Sequence, residues 1–127
     1  MAYGLQPPPD NAETNHYVFK QWFSKVVEYV LSRVKIKNTT AAMTVEASQF
    51  YIRVDATGGA RTITLPSAST CSGRQILVAK IDSSGNAVTV ARAGTDTIEG
   101  SNTISLASQW DNALLISNGN NGWERIV

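Results

Sequence analysis

The stretch Ile81–Leu106, IDSSGNAVTVARAGTDTIEGSNTISL, decides the fold. Short alternating runs such as Val88-Thr89-Val90 are separated by Ser-Gly-Asn and Glu-Gly-Ser clusters, the pattern of strands joined by tight turns. Barely a side chain in it could do chemistry. The same pattern extends in both directions, with strands expected at Thr44–Ala47, Phe50–Ala56, Thr62–Leu65, Gln75–Asp82, Ala87–Ala93, Thr103–Ala107, Ala113–Ser117 and Trp123–Val127. Evenly spaced short strands with turns between them predict an antiparallel β-sandwich or barrel-like domain. The best-defined hairpin is Gln75–Ala93, where the loop Ser83-Ser84-Gly85-Asn86 would set Ile81 opposite Val88, Ala79 opposite Val90 and Leu77 opposite Arg92.

Upstream of residue 38 the pattern changes. Pro7-Pro8-Pro9 forbids helix and favours an extended, semi-rigid lead. Asp10 is placed as an N-cap with Glu13 as its reciprocal acceptor, which predicts a helix over roughly residues 12–34. Stepped at about 100° per residue, Phe19, Trp22, Phe23, Val26, Val27, Val30 and Val34 fall within an arc of about 140°. Gln21, Ser24, Lys25, Glu28 and Ser32 occupy the other side. Phe19, Phe23, Val26 and Val30 follow a coiled-coil seam, though Arg33 takes the next seam position. A face with two Phe and a Trp needs a partner surface, since each large side chain gains about 1.5–3 kcal/mol on full burial. That partner is either the chain's own β domain or copies of the helix and a host protein, and the proline lead and abrupt change of composition favour the second. The expected organisation is therefore an N-terminal anchor, 1–37, and a compact β domain, 38–127.

With 127 residues, one domain plus an appended element is what the chain can hold. A net charge of +1 without a basic block argues against nucleic acid as the partner. No run approaches a membrane span and the amino terminus lacks a secretory leader, so a soluble protein made in the cytoplasm, with no membrane partner, is expected.

No catalytic, cofactor or metal site is expected. His16 is the only histidine and Cys71 the only cysteine, which leaves no metal cluster and no charge-relay pair. Asp96 and Glu99 are spaced like a glycosidase pair, but a turn-capping Asp and a solvent-facing Glu explain them better. DATGGAR and NGNNG lack the lysine and following helix of a phosphate loop, and DSSGN lacks the ligands of a calcium loop. Trp123 reads as core or subunit interface, whereas Tyr51 and Trp110, if exposed, are candidates for stacking on sugar rings.

The segments YIRVDATGGARTITLPSAS, GRQILVAKIDSSGNAVTVARAGTDTIEG and ISLASQWDNALLISNGNNGWERI resemble, in that order, β modules of tailed-bacteriophage fibre, appendage and head-surface proteins. The resemblance covers about residues 50–127. It implies a homotrimer on the virion, docked on another virion protein such as a capsid, portal or tail component. Because the module runs directly to Val127, a short fibre, adaptor or head decoration (cement) protein is expected rather than a full fibre with shaft and tip. The alternative is a host-glycan or receptor-binding module of a phage appendage.

Overall fold

The computed structural model describes residues 18–26 and 35–126. The chain divides into two units, Met1–Val34 and Lys35–Val127. In the second, ten strands follow one another: β1 (Lys35–Thr39), β2 (Met43–Thr44), β3 (Gln49–Val54), β4 (Arg61–Thr64), β5 (Gln75–Lys80), β6 (Val88–Ala91), β7 (Thr97–Ile98), β8 (Thr103–Leu106), β9 (Asn112–Ser117) and β10 (Gly122–Arg125). They form two sheets, ordered β1-β3-β5-β9-β10-β7 and β2-β4-β6-β8. The mainly β, two-sheet architecture is the expected one.

Strand direction differs from expectation. β1, β3 and β5 run parallel in the larger sheet, as do β2, β4 and β6 in the smaller. Only then do antiparallel pairings enter, β5 with β9, β9 with β10 and β6 with β8, and β7 returns parallel to β10. Each turn between sheets thus stacks on the one before, so the first six strands wind as coils. The Gln75–Ala93 hairpin does not form, because β5 and β6 belong to different sheets.

The reason lies in which face of β5 turns inward. Ile76, Val78 and Lys80 are fully buried, and Val88 and Val90 from β6 meet that core. A hairpin would have turned Leu77, Ala79 and Ile81 inward and kept Lys80 in water. The chain buries Lys80 instead and supplies its counter-charge two residues on: Nζ donates to Asp82 Oδ2 at 2.7 Å. The Asp82 carboxylate also accepts the Ala56 N–H at 2.7 Å, the Ser84 N–H at 3.0 Å and the Ser84 hydroxyl. Asn86 Nδ2 donates to the Ala56 carbonyl at 2.9 Å. What looked like a hairpin loop is an arch tied to the β3–β4 arch beneath it.

The inner faces of the two sheets supply the core. Ile52 and Val54 of β3, Ile63 of β4, Ala113 and Leu115 of β9 and Trp123 of β10 are all buried there. Trp123 Nε1 donates to the Pro66 carbonyl at 3.1 Å, fixing the β4–β5 connection against β10. In that connection the Ala68 N–H donates to Asp96 Oδ2 at 2.8 Å, and Ser117 Oγ donates to the Ala68 carbonyl at 2.8 Å. Asp96 therefore caps a turn, and Glu99 is exposed. Where β10 meets β7, a side chain at Gly122 would put its Cβ 2.7 Å from the Thr97 carbonyl oxygen, a contact only glycine avoids.

β1 and β7 were not anticipated. β1 has only exposed residues until Thr39, so it carries no burial signal of its own. It nevertheless pairs with β3 from Lys35 onward, which assigns Lys35, Ile36 and Lys37 to the β unit rather than to the anchor.

Burial alone would raise the Asp82 pKa, but hydrogen bonds from Lys80, from the Ser84 side chain and from the Ala56 and Ser84 N–H groups outweigh it, holding the carboxyl well below the usual carboxylate range. A carboxyl depressed in the folded state contributes stability that is complete above its unfolded value of about 3.9 and is lost as pH falls toward the folded value. Asp82→Asn should therefore lower Tm at neutral pH by about 10 °C or more, since it strands a buried ammonium. The gap to the wild type should narrow below about pH 4. Calorimetry across that range checks both; a constant gap would show that Asp82 titrates normally in the fold.

Candidate functional site

Two surfaces hold the residues singled out by the sequence, one on each unit. In the first unit, residues 18–26 are helical. Phe19 and Phe23, one turn apart, stack at 6.1 Å between ring centroids, and Trp22 tilts against Phe19 at 6.2 Å. Residues at this spacing share a helix face. That face is open to water: Phe19 is 49% exposed, Phe23 53% and Val26 37%. Trp22 is half-buried. Val27, Val30 and Val34 lie outside the described residues, as do His16, the proline lead and the Asp10/Glu13 cap.

In the β unit, Tyr51 projects from the outer face of the larger sheet, since its neighbours Ile52 and Val54 face the core. It is half-buried, and the Arg53 guanidinium lies 5.9 Å from its ring centroid, within cation–π range. Arg53 Nη1 also donates to Asn38 Oδ1 at 2.8 Å, which ties β3 to β1. Beside this pair lies a shallow groove of about 280 Å³ lined by Asn38, Thr39, Thr40, Arg53, Asp55 and Ile81. Hydrogen bonds from Thr57, among them its N–H to Asp55 Oδ1 at 2.9 Å, hold the Asp55 carboxyl below its ordinary value. The groove thus offers an anionic acceptor, a guanidinium and neutral amide and hydroxyl groups, the mixture that recognises a polyhydroxylated ligand.

Trp110 stands at the same end of the sheet. Its N–H donates to the Lys80 carbonyl at 2.7 Å while the Lys80 N–H donates to the Asp111 carbonyl at 2.9 Å. This is a bulge of the kind whose first residue is left-handed and usually glycine, and Trp110 has φ +70°. The Asp111 carboxylate holds the preceding turn by accepting the Ala107 and Ser108 N–H groups. Gln109 Nε2 reaches the carbonyl of Ile81, a groove residue, at 3.1 Å. With 57% of its surface in water, the indole does not recover in packing the roughly 1–2 kcal/mol that a left-handed conformation costs.

Tyr51 and Trp110 therefore belong to one sheet face but occupy different settings, Tyr51 under Arg53 and Trp110 beside the groove. The groove's polar residues were not singled out from sequence. Asp55 sits in the DATGGAR stretch read there as a weak anion loop, and Asn38 is brought to it only by the parallel pairing of β1. Cys71 is half-buried, with its Sγ 3.3 Å from the Ser67 carbonyl oxygen. Among the described residues no group of three or more His, Cys, Asp or Glu side chains could hold a metal ion, and no helix is long and apolar enough to cross a membrane.

No protein-family model matches the chain, and no curated protein matches it in sequence.

The Trp110 backbone makes a specific expectation. Trp110→Gly should fold with an unchanged or slightly higher Tm, because glycine adopts the left-handed conformation without strain and little packing is lost. A fall of more than a few degrees in a thermal melt would show instead that the indole is part of the core.

Proposed function

We propose that this chain is a non-enzymatic structural component of a tailed-phage particle, a short trimeric fibre, adaptor or head-surface decoration protein, attached through its N-terminal segment and projecting its β unit outward. The observation that carries the reading is the exposed aromatic face of the helix: Phe19 and Phe23 are about half in water even though they stack on each other. An apolar face in that condition marks an interaction surface. The resemblance of residues 50–127 to virion-surface β modules supplies the setting. Threefold multiplicity would multiply weak contacts into firm attachment without any new chemistry. On this reading Phe19, Phe23 and Val26 face the threefold axis, and Trp22 flanks it.

The test is assembly on particles that lack the native copy. The full chain should decorate them, and a chain lacking residues 1–34, which keeps β1 intact, should remain folded and stay in solution. Decoration by the truncated chain would place the anchor in the β unit. In the full chain, Phe23→Asp should dissociate the trimer by putting three unpaired carboxylates in an apolar seam, whereas Gln21→Asp should leave it whole. Light scattering on both variants distinguishes these outcomes, and a monomeric wild type removes the trimer altogether.

A second reading, a host-glycan-binding module of a phage appendage, is favoured by Trp110, an exposed indole held in a glycine-like conformation beside the Asp55/Arg53 groove. Aromatic faces stack on sugar rings while polar groups select the hydroxyls. A glycan array with the wild type and Trp110→Gly decides it: binding lost in the variant supports the reading, and an array without signal removes it.

A further inference from the structure

The two sheets solve the same problem in opposite ways. On the outer face of the smaller sheet one row across the strands reads Thr44, Thr64, Ala91, Thr103 and the next reads Thr62, Thr89, Ser105. Small hydroxyl side chains are what a sheet face carries when water covers it. On the larger sheet the central outward row reads Ile36, Tyr51, Leu77, Leu114, and the Ile126 N–H extends it by donating to the Leu114 carbonyl at 2.8 Å. Five strands contribute one large apolar side chain each. The most exposed members stand at the ends, Ile36 at 61% and Ile126 at 41%. A chain that keeps threonine on one face has not left this row apolar for lack of alternatives.

The charges at the two ends of the sheet indicate what covers it. β1, one edge, carries Lys35 and Lys37, both exposed. At the other edge Glu124 of β10 and Glu99, just after β7, are exposed. No salt bridge links these groups in the described residues, where Lys80–Asp82 is the pair formed. A partner that matches both the apolar row and a basic-to-acidic gradient must be apolar in the middle and graded the opposite way, and a second copy of the same face meets that description when the β1 end of one lies against the β10 end of the next.

We propose that the outer face of the larger sheet is a homotypic interface, with the Ile36–Ile126 row buried between copies and the lysines of β1 paired with Glu124 and Glu99 of the neighbour. The inference rests on the trimer reading and adds the surface that closes it: joined end to end, three such faces form a ring in which every basic edge meets an acidic one.

Zero-length carbodiimide crosslinking tests it directly. Within one copy, β1 and β10 are four strand spacings apart, roughly 19 Å at about 4.8 Å each, too far for a lysine amine and a glutamate to condense. An equal mixture of isotope-labelled and unlabelled full-length protein should yield mixed-label crosslinks from Lys35 or Lys37 to Glu124 or Glu99. Leu114→Lys should raise the dissociation constant of the assembly roughly a hundredfold, Glu124→Lys should weaken it more modestly, and Thr89→Lys on the other sheet should leave it unchanged. A wild-type trimer that gives no such crosslinks and tolerates Leu114→Lys overturns this interface and leaves the helix-centred trimer standing. A wild type that scatters as a monomer at every concentration overturns both.

Discussion

A lysine ammonium in the interior dictates the path of the β unit. Lys80 is fully buried, and a charge there is tolerable only if a partner is held beside it at hydrogen-bond distance. Asp82 can be that partner only if the chain turns out of β5 toward the other sheet, and its second oxygen then takes the Ala56 N–H of the preceding arch. One carboxylate thus neutralises the ammonium, shapes its own arch and locks that arch to its neighbour. A buried ion pair of this kind adds little net stability over apolar residues of the same shape. Its effect is on choice of path, because the competing hairpin would leave Asp82 without Ala56 and Lys80 on the solvent side.

This constraint also explains what the amino-acid sequence made legible and what it hid. All eight expected strands overlap observed ones, since alternation and Gly/Asn turn clusters mark a strand whichever neighbour it takes. Trp123 was assigned to core or interface and lies in the core. The parallel winding was not legible because the coils differ in length: Thr39 stacks on Val54 and Val54 on Lys80, Met43 on Ile63 and Ile63 on Val90, so no fixed repeat appears. Alternation around Gln75–Asp82 pointed to the wrong face because it treats every lysine as a solvent residue. β1 was hidden because an exposed edge strand has no apolar pattern, and β7 because two residues carry no period. Of the candidate site, Trp110 and Tyr51 were visible as aromatic residues, but the groove between β1 and β3 needed the pairing.

The molecule separates its tasks among surfaces of different chemistry. The smaller sheet turns Thr and Ser to water, the larger one turns a row of Ile, Tyr and Leu outward, and the arch end carries the polar groove and an indole on a left-handed residue. The helix has a fourth kind of surface, a stacked aromatic pair half in solvent. Nothing in these surfaces calls for a reacting group, which fits a protein that works by holding and being held.

The order of strands in the larger sheet also bears on how the chain is made. β5, the most apolar strand, lies between β3 and β9, and β9 is synthesised more than thirty residues after it. At the roughly 5–20 residues per second of translation, the free edge of β5 stays open for a few seconds after the strand has left the ribosome. Such an edge templates pairing with a neighbouring nascent chain. Polysomes carrying many copies are therefore where this protein is most exposed to misassembly, and the antiparallel β9–β10 ribbon acts as the clasp that ends that interval.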